Sequence, residues 1–266
     1  MNLKNFNNEK QYFLDFFSKP QTKFLYEELT KKIIQTNKNN SKTRYCNPNY
    51  HLQEFRTQIF EAKIWQLCSY LKYRKSTYHL ALSIFDFFTG MCFIEENEIT
   101  LVPYVCLVLA SKLNENYLES LTLQDIPSII RGADINVLNQ IEKSILSELQ
   151  FEFRIGTPFD NIFYLCHFVE LSMNSNFDHI KKFIDQTFSL INMIVINYDS
   201  NQYDPLLIAL SCLMITTGLN EVKFPFDKVI KKVIENQENY DDFLNLLMEC
   251  TEFIRNDMKH ILQKAN

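Results

Sequence analysis

The sequence predicts an all-helical protein, and three observations carry the prediction. Glycine is scarce, four in 266 residues or about 1.5%, where about 7% is usual. Apolar residues recur at steps of three and four through most of the chain, the period of one helix face. Signals for β-hairpin turns are few. The same glycine count removes folds built on glycine loops: with glycines only at 90, 132, 156 and 218, neither GxGxxG nor a phosphate loop can be written.

Residues 9–36 read as helical, with the apolar series Phe24, Leu25, Leu29 and Ile33 and a break at Pro20. Residues 37–49 are polar, with Ser41, Thr43 and Pro48, and form a linker by composition. Five helices follow. The first, 52–72, carries Phe60, Ile64, Leu67, Cys68 and Leu71 at helical steps; the second, 77–90, carries Leu80, Ile84 and Phe88 in one row and Ala81 and Phe85 in the next. The third, 101–114, is apolar nearly all round, as a central buried helix must be. Glu95, Glu96 and Glu98 precede it, and Thr100 is its expected cap. The fourth lies at 122–131 and the fifth at 134–150, with Leu138, Ile141, Ile145 and Leu149 in line.

After Gly156-Thr157-Pro158 the plan starts again, with helices expected near 158–173, 178–197, 204–218, 225–235 and 239–263. Leu113-Asn114-Glu115 recurs 106 residues later as Leu219-Asn220-Glu221, and the same offset sets Leu101 on Leu207 and Leu109 on Ile215. Three regions result: an N-terminal helical segment and linker (1–50), a five-helix domain (51–155) and its duplicate (156–266).

Lys and Arg total 27 against 32 Asp and Glu, a net charge of −5, which repels phosphate backbones on average and argues against direct nucleic-acid binding. Seven cysteines stand at least fourteen residues apart and five histidines form no HExxH. The expectation is therefore reduced, buried thiols and no metal centre. The N-terminus has no apolar run of the kind that opens a signal peptide, and the longest apolar stretch, 101–110, is half a membrane span. An intracellular protein that is not a membrane protein is expected.

Two charged residues break the apolar pattern. With Leu138 at zero and about 100° per residue, Ile145 falls near 340°, Leu149 near 20° and Glu142 near 40°, so Glu142 stands within the apolar stripe. A carboxylate there costs several kcal/mol unless it is paired. Lys112 ends the most apolar helix in the chain, where a cation is worth less than about 1 kcal/mol to the helix terminus. Each alone reads as an internal pair or a helix-end charge. Together they suggest a polar pair at the edge of an apolar surface that awaits a partner.

Thr77-Tyr78-His79-Leu80-Ala81, then Asp86, then Leu101 through Ala110-Ser111-Lys112-Leu113, then Ile141-Glu142-Lys143-Ser144-Ile145-Leu146-Ser147-Glu148-Leu149, resemble a cyclin box over about 52–155. Residues 157–263, with Asp204-Pro205-Leu206-Leu207-Ile208-Ala209 opening the third helix, resemble the second cyclin fold. The resemblance implies that Arg56 and Asp86 tie the first helix to the second. It places Leu101 at the start of the central helix, grouped with the kinase-binding residues. Lys112 and Glu142, by the same resemblance, grip the backbone beside the mobile helix of a cyclin-dependent kinase. Fifteen residues from Asp86 to Leu101 and eleven from Leu101 to Lys112 fit the family without gaps.

The chain also departs from that family. Phe55-Arg56-Thr57-Gln58-Ile59-Phe60 stands where cyclins that dock substrates carry a Met-Arg-Ala-Ile-Leu series, Trp65 comes nine rather than six residues after the arginine, and the Arg56–Asp86 separation is shifted by one residue. Trp65 accordingly reads as core. Asp86-Phe87-Phe88-Thr89 lacks the arginine of Asp-Arg-Phe-Leu, and no RxxL, KEN or LxCxE sequence occurs. In the second repeat Gly218 and Met248 take the places of Lys112 and Glu142. No nucleophile–base arrangement is visible, so the resemblance implies a non-enzymatic regulatory subunit of a cyclin-dependent protein kinase, without cofactor. The alternative is a cyclin-fold scaffold that docks without activating a kinase.

Overall fold

Helix formation follows the apolar spacing. The computed structural model describes residues 50–92, 94–151, 155–162, 164–165, 177–219 and 240–265, and no strand occurs among them. The helix and linker expected over residues 9–49, the helix near 225–235 and residues 166–173 lie outside the described residues. In chain order the helices are α1 (Tyr50–Ile59), a π turn (Phe60–Ile64), α2 (Trp65–Tyr70), α3 (Lys75–Met91), α4 (Glu96–Ile99) and α5 (Val102–Asn114). A 3-10 turn (Leu123–Asp125) leads into α6 (Ile126–Ile129) and α7 (Ile135–Glu148). Then come α8 (Phe177–Ile196), a 3-10 turn (Tyr198–Gln202), α9 (Pro205–Leu219) and α10 (Tyr240–Ala265). Residues 158–162 and 164–165 are also helical.

The described residues divide into two compact units: 50–160 with Asn192–Pro205, and 161–191 with 206–265. In the first, α5 is the core helix, buried from Val102 to Ser111 and packed on α3 and α7. Thr100 does not cap it. The single turn α4 delivers the chain directly, with Leu101 N–H donating to the Glu98 carbonyl, and Leu101 itself is the N-cap with no side-chain bond. Pro103 in the first turn lacks an N–H and so removes one orphan donor. In the second unit α9 is sheathed in the same way, buried from Leu206 to Leu213, and Thr251 of α10 donates to the Leu247 carbonyl while its hydroxyl lies 3.0 Å from Ser211 Oγ.

The first expected helix is divided by the π turn. Arg56, Phe60, Ile64 and Cys68 are all buried at successive steps of four, a series that drifts about 40° per step on a plain α-helix. The π turn bonds i to i+5 and takes back part of that drift. It lies within the Arg56–Asp86 interval, the one whose length departs from the family spacing by one residue. Trp65 is half-buried and meets the ring of buried Tyr78 edge-on at 5.0 Å.

Arg56 is the buried hub of this unit. Its guanidinium donates from Nε to Asp86 Oδ1 at 2.6 Å and from Nη2 to Asp86 Oδ2 at 2.7 Å. The remaining donors reach the carbonyls of Ile196 at 2.6 Å and Val195 at 3.0 Å, the last turn of α8, while Tyr198 lies beneath it at 5.4 Å. A guanidinium is suited to this because it offers five donors in a plane, and a helix C-terminus favours a cation. His79 holds the same stretch: Nε2 lies 2.7 Å from Asn192 Oδ1, and the ring stacks on Phe159 at 4.8 Å. Complete burial lowers its pKa from 6.5 to about 4.

Helix ends explain where the missing glycines would have been. After α2, Tyr73 N–H bonds to the Cys68 carbonyl around Lys72 at φ 58°; after α7, Phe151 N–H bonds to the Leu146 carbonyl around Gln150 at φ 51°. Both are six-to-one closures whose left-handed position normally takes glycine.

Three outcomes are expected. Arg56→Ala lowers unfolding free energy by about 3–5 kcal/mol in urea titration, since it strands a carboxylate only 14% exposed and two carbonyls, and Arg56→Lys recovers only part. The unfolded chain protonates His79 below about pH 6.5 and the fold only near pH 4, so stability falls as pH drops through that window, by about 2 kcal/mol between pH 6.5 and 5; His79→Phe loses that part of the slope. Lys72→Gly and Gln150→Gly each raise stability by about 1 kcal/mol in the same titration.

Candidate functional site

The site stands where α5 leaves the core. Its residues are buried through Ser111, and Lys112 is the first to emerge, 44% exposed. Lys112 Nζ donates to Glu142 Oε1 at 2.7 Å. Glu142 is 18% exposed, at the margin of an α7 face whose Leu138, Ile141 and Ile145 are buried. The carboxylate in the apolar stripe therefore has its partner, thirty residues away.

Magnitudes decide what that pair is for. A part-exposed lysine–carboxylate contact contributes about 0–1 kcal/mol to folding. Stability alone is a poor reason to keep a carboxylate on an apolar stripe. The chemistry left over is more telling: Nζ has three donors and spends one on Glu142, while Glu142 Oε2 takes no hydrogen bond from the described residues. Carbonyls and N–H groups of another main chain can be bound while the pair stays closed.

The segment after Lys112 is pinned and bears exposed apolar side chains: Leu113 is 47% exposed, Tyr117 91% and Leu118 93%. Tyr73 Oη donates to the Glu119 carbonyl at 2.8 Å, Leu121 N–H donates to Ser111 Oγ at 3.1 Å, and the N–H groups of Glu119 and Ser120 both reach the Asn116 carbonyl at 2.9 Å. Glu115, only 7% exposed, accepts from Arg74 N–H at 2.8 Å and from the Thr77 hydroxyl. It thereby caps α3, whose N-cap Arg74 has no side-chain bond of its own. Sequence reasoning passed over Glu115, Ser111 and Tyr73. Glu115 left a trace only as part of the repeated Leu-Asn-Glu.

Of the other expected residues, the structure joins Arg56 to Asp86 in the hub described above. Leu101 is not brought to the Lys112–Glu142 pair: it is 8% exposed and accepts from Tyr104 and Val105 N–H at the opposite end of α5, about 16 Å away along the helix. In the second unit Gly218 is exposed and Met248 is 68% exposed, so no charge pair stands at these positions. None of the described cysteines is in a disulfide; burial pushes Cys68 up to about 12 and Cys106 and Cys212 well above the usual thiol range, which keeps them protonated. Among the described residues no group of His, Cys, Asp and Glu could hold a metal, and no helix is long and apolar enough to cross a membrane.

Comparison with known proteins gives a consistent picture. The family described as cyclin, N-terminal domain, matches residues 26–154. A protein named cyclin-B3-1 from Arabidopsis thaliana is 24% identical over 181 residues, 67% of this chain and 41% of that protein, so the alignment covers less than half of the relative. The X-ray structure of a viral cyclin from herpesvirus saimiri is similar with a TM-score of 0.56 and 16% identity, over 77% of this chain and 86% of the viral one. A chain of the CAK complex of Chaetomium thermophilum, bound to ATP-gamma-S, is similar with a TM-score of 0.55 and 12% identity, over 96% of this chain and 81% of the other. Taken with the all-helical architecture, these findings make the chain similar to the cyclin family, in sequence over residues 26–154 and in fold.

Proposed function

We propose that this chain is the regulatory subunit of a cyclin-dependent serine/threonine protein kinase, binding it and holding its mobile helix inward. The observation that carries the reading is the part-exposed Lys112–Glu142 pair, closed at 2.7 Å, with donors and an acceptor that no described residue takes up. Such a pair reads main chain without demanding particular side chains. The exposed Leu113, Tyr117 and Leu118 supply apolar area beside it in the chain. Once its helix is held, the kinase's own Lys–Glu pair and metal-binding aspartate align. The chemistry belongs to the kinase; this chain contributes position. The match to the cyclin N-terminal domain supports the reading, as does a structural neighbour within a complex bound to an ATP analogue. The reading includes two tandem five-helix folds dividing near residue 155 and a location in the nucleus or cytoplasm.

A second reading is a cyclin-fold scaffold that does not activate a kinase. The π turn at Phe60–Ile64 favours it, because it alters the first helix close to where docking cyclins carry their substrate patch.

Both readings meet one experiment. The purified chain is mixed with a panel of purified cyclin-dependent kinases, and phosphorylation of a basic peptide is followed. At least one kinase is expected to be bound and stimulated. Lys112→Ala with Glu142→Ala removes the stimulation and weakens binding about 10- to 150-fold, the worth of a charged hydrogen bond, with helical circular dichroism unchanged. Undiminished binding by that variant overturns the choice of surface, and tight binding without stimulation favours the scaffold.

A further inference from the structure

The backbone that carries Lys112 is held from both sides. On one side Ser111 is buried, donates to the Val108 carbonyl at 2.9 Å and accepts from Leu121 N–H. On the other, Glu115 closes α5 by donating its N–H to the Ser111 carbonyl and sends its carboxylate across to Arg74 N–H and the Thr77 hydroxyl. The last carbonyls of a helix have no partners within it, so an untied end frays. Here the end is tied to the first turn of α3, which α5 packs against.

A second consequence concerns charge. Glu115 stands three residues after Lys112, the spacing at which a lysine and a glutamate on one helix face pair with each other. Engaged at the N-terminus of α3, where negative charge is favoured, the Glu115 carboxylate is withheld from Lys112. The lysine is left to Glu142.

We propose that Glu115 is a positioning residue for the Lys112–Glu142 clasp: tied to Arg74 N–H and Thr77, it fixes the end of α5 and leaves Lys112 to Glu142 in the geometry that binds the kinase main chain. The proposal rests on the kinase-binding reading. It assigns Glu115 no contact with the kinase, so its effect on binding passes through the lysine.

A double-mutant cycle tests this on the full chain, with the kinase that the wild type binds most tightly in the panel above and with thermal unfolding measured in parallel. Glu115→Ala is expected to weaken kinase binding about tenfold. Glu115→Gln, which keeps an acceptor oxygen at the same reach, stays within about threefold of wild type. Thr77→Val, which removes one donor and keeps the shape, falls between them. In a Lys112→Ala background, Glu115→Ala produces no further loss beyond about twofold. A cap that serves only stability lowers the melting temperature in every background and leaves the two effects on binding additive. Additive losses therefore overturn the positioning role while the kinase-binding reading stands. A Lys112→Ala variant that binds as the wild type does overturns the reading itself, and so does a panel in which no kinase binds. Should Glu115→Ala fail to fold, Thr77→Val in the same two backgrounds decides the question by the same criterion.

Discussion

A helix apolar on every side exists in water only if other elements cover it all round. Helix α5 imposes that constraint on the first unit. Val102, Val105, Cys106, Leu107, Val108 and Ala110 are without measurable exposure, or nearly so, and α3 and α7 lie against them. The charged residue that follows this run can exist only where the sheath stops. Lys112 stands there, and the segment to Leu121 is folded back and bonded to Ser111 and Tyr73. The candidate site is thus a consequence of burial: it marks the end of the most hydrophobic element in the unit.

The pair at that end separates two kinds of energy that contact distances alone confuse. A 2.7 Å contact between part-exposed charges does little for folding, because water competes for both groups and long side chains must be ordered. The same groups buried beneath a partner lose that competitor. Arg56 shows the opposite balance. Its guanidinium is 1% exposed, every bond it makes replaces one to water, and removing it leaves an uncompensated carboxylate and two carbonyls. One ion pair is sealed in the unit, and the other stands at its surface.

Most of the helices were legible because burial writes a three-and-four period into the sequence; α3, α5, α7, α8, α9 and α10 lie within about three residues of the expected spans. The pairing of Lys112 with Glu142 was legible because each violates its local pattern. What could not be read has a physical character of its own. The bonds from Arg56 to the Val195 and Ile196 carbonyls join backbone groups about 140 residues away, and a backbone carbonyl carries no side-chain signature. Glu115 sits at a helix end, where an acidic residue reads as solvated surface until its distant donors are placed. Helix ends were blurred because Lys72 and Gln150 hold left-handed positions without glycine. Thr100 fits the usual pattern of a cap, yet α4 brings the chain into α5 by backbone bonds and leaves that hydroxyl without the role.

The wide turn at Phe60–Ile64 gives the leading helix two rotational settings along one rod. Upstream, the phase is fixed by a guanidinium locked to Asp86; downstream, it is fixed by Trp65 against Tyr78 and by Cys68 in the core. The π turn reconciles them. Excising one residue there would swing the downstream end by about 100° relative to its neighbours, so length here behaves as a discrete setting.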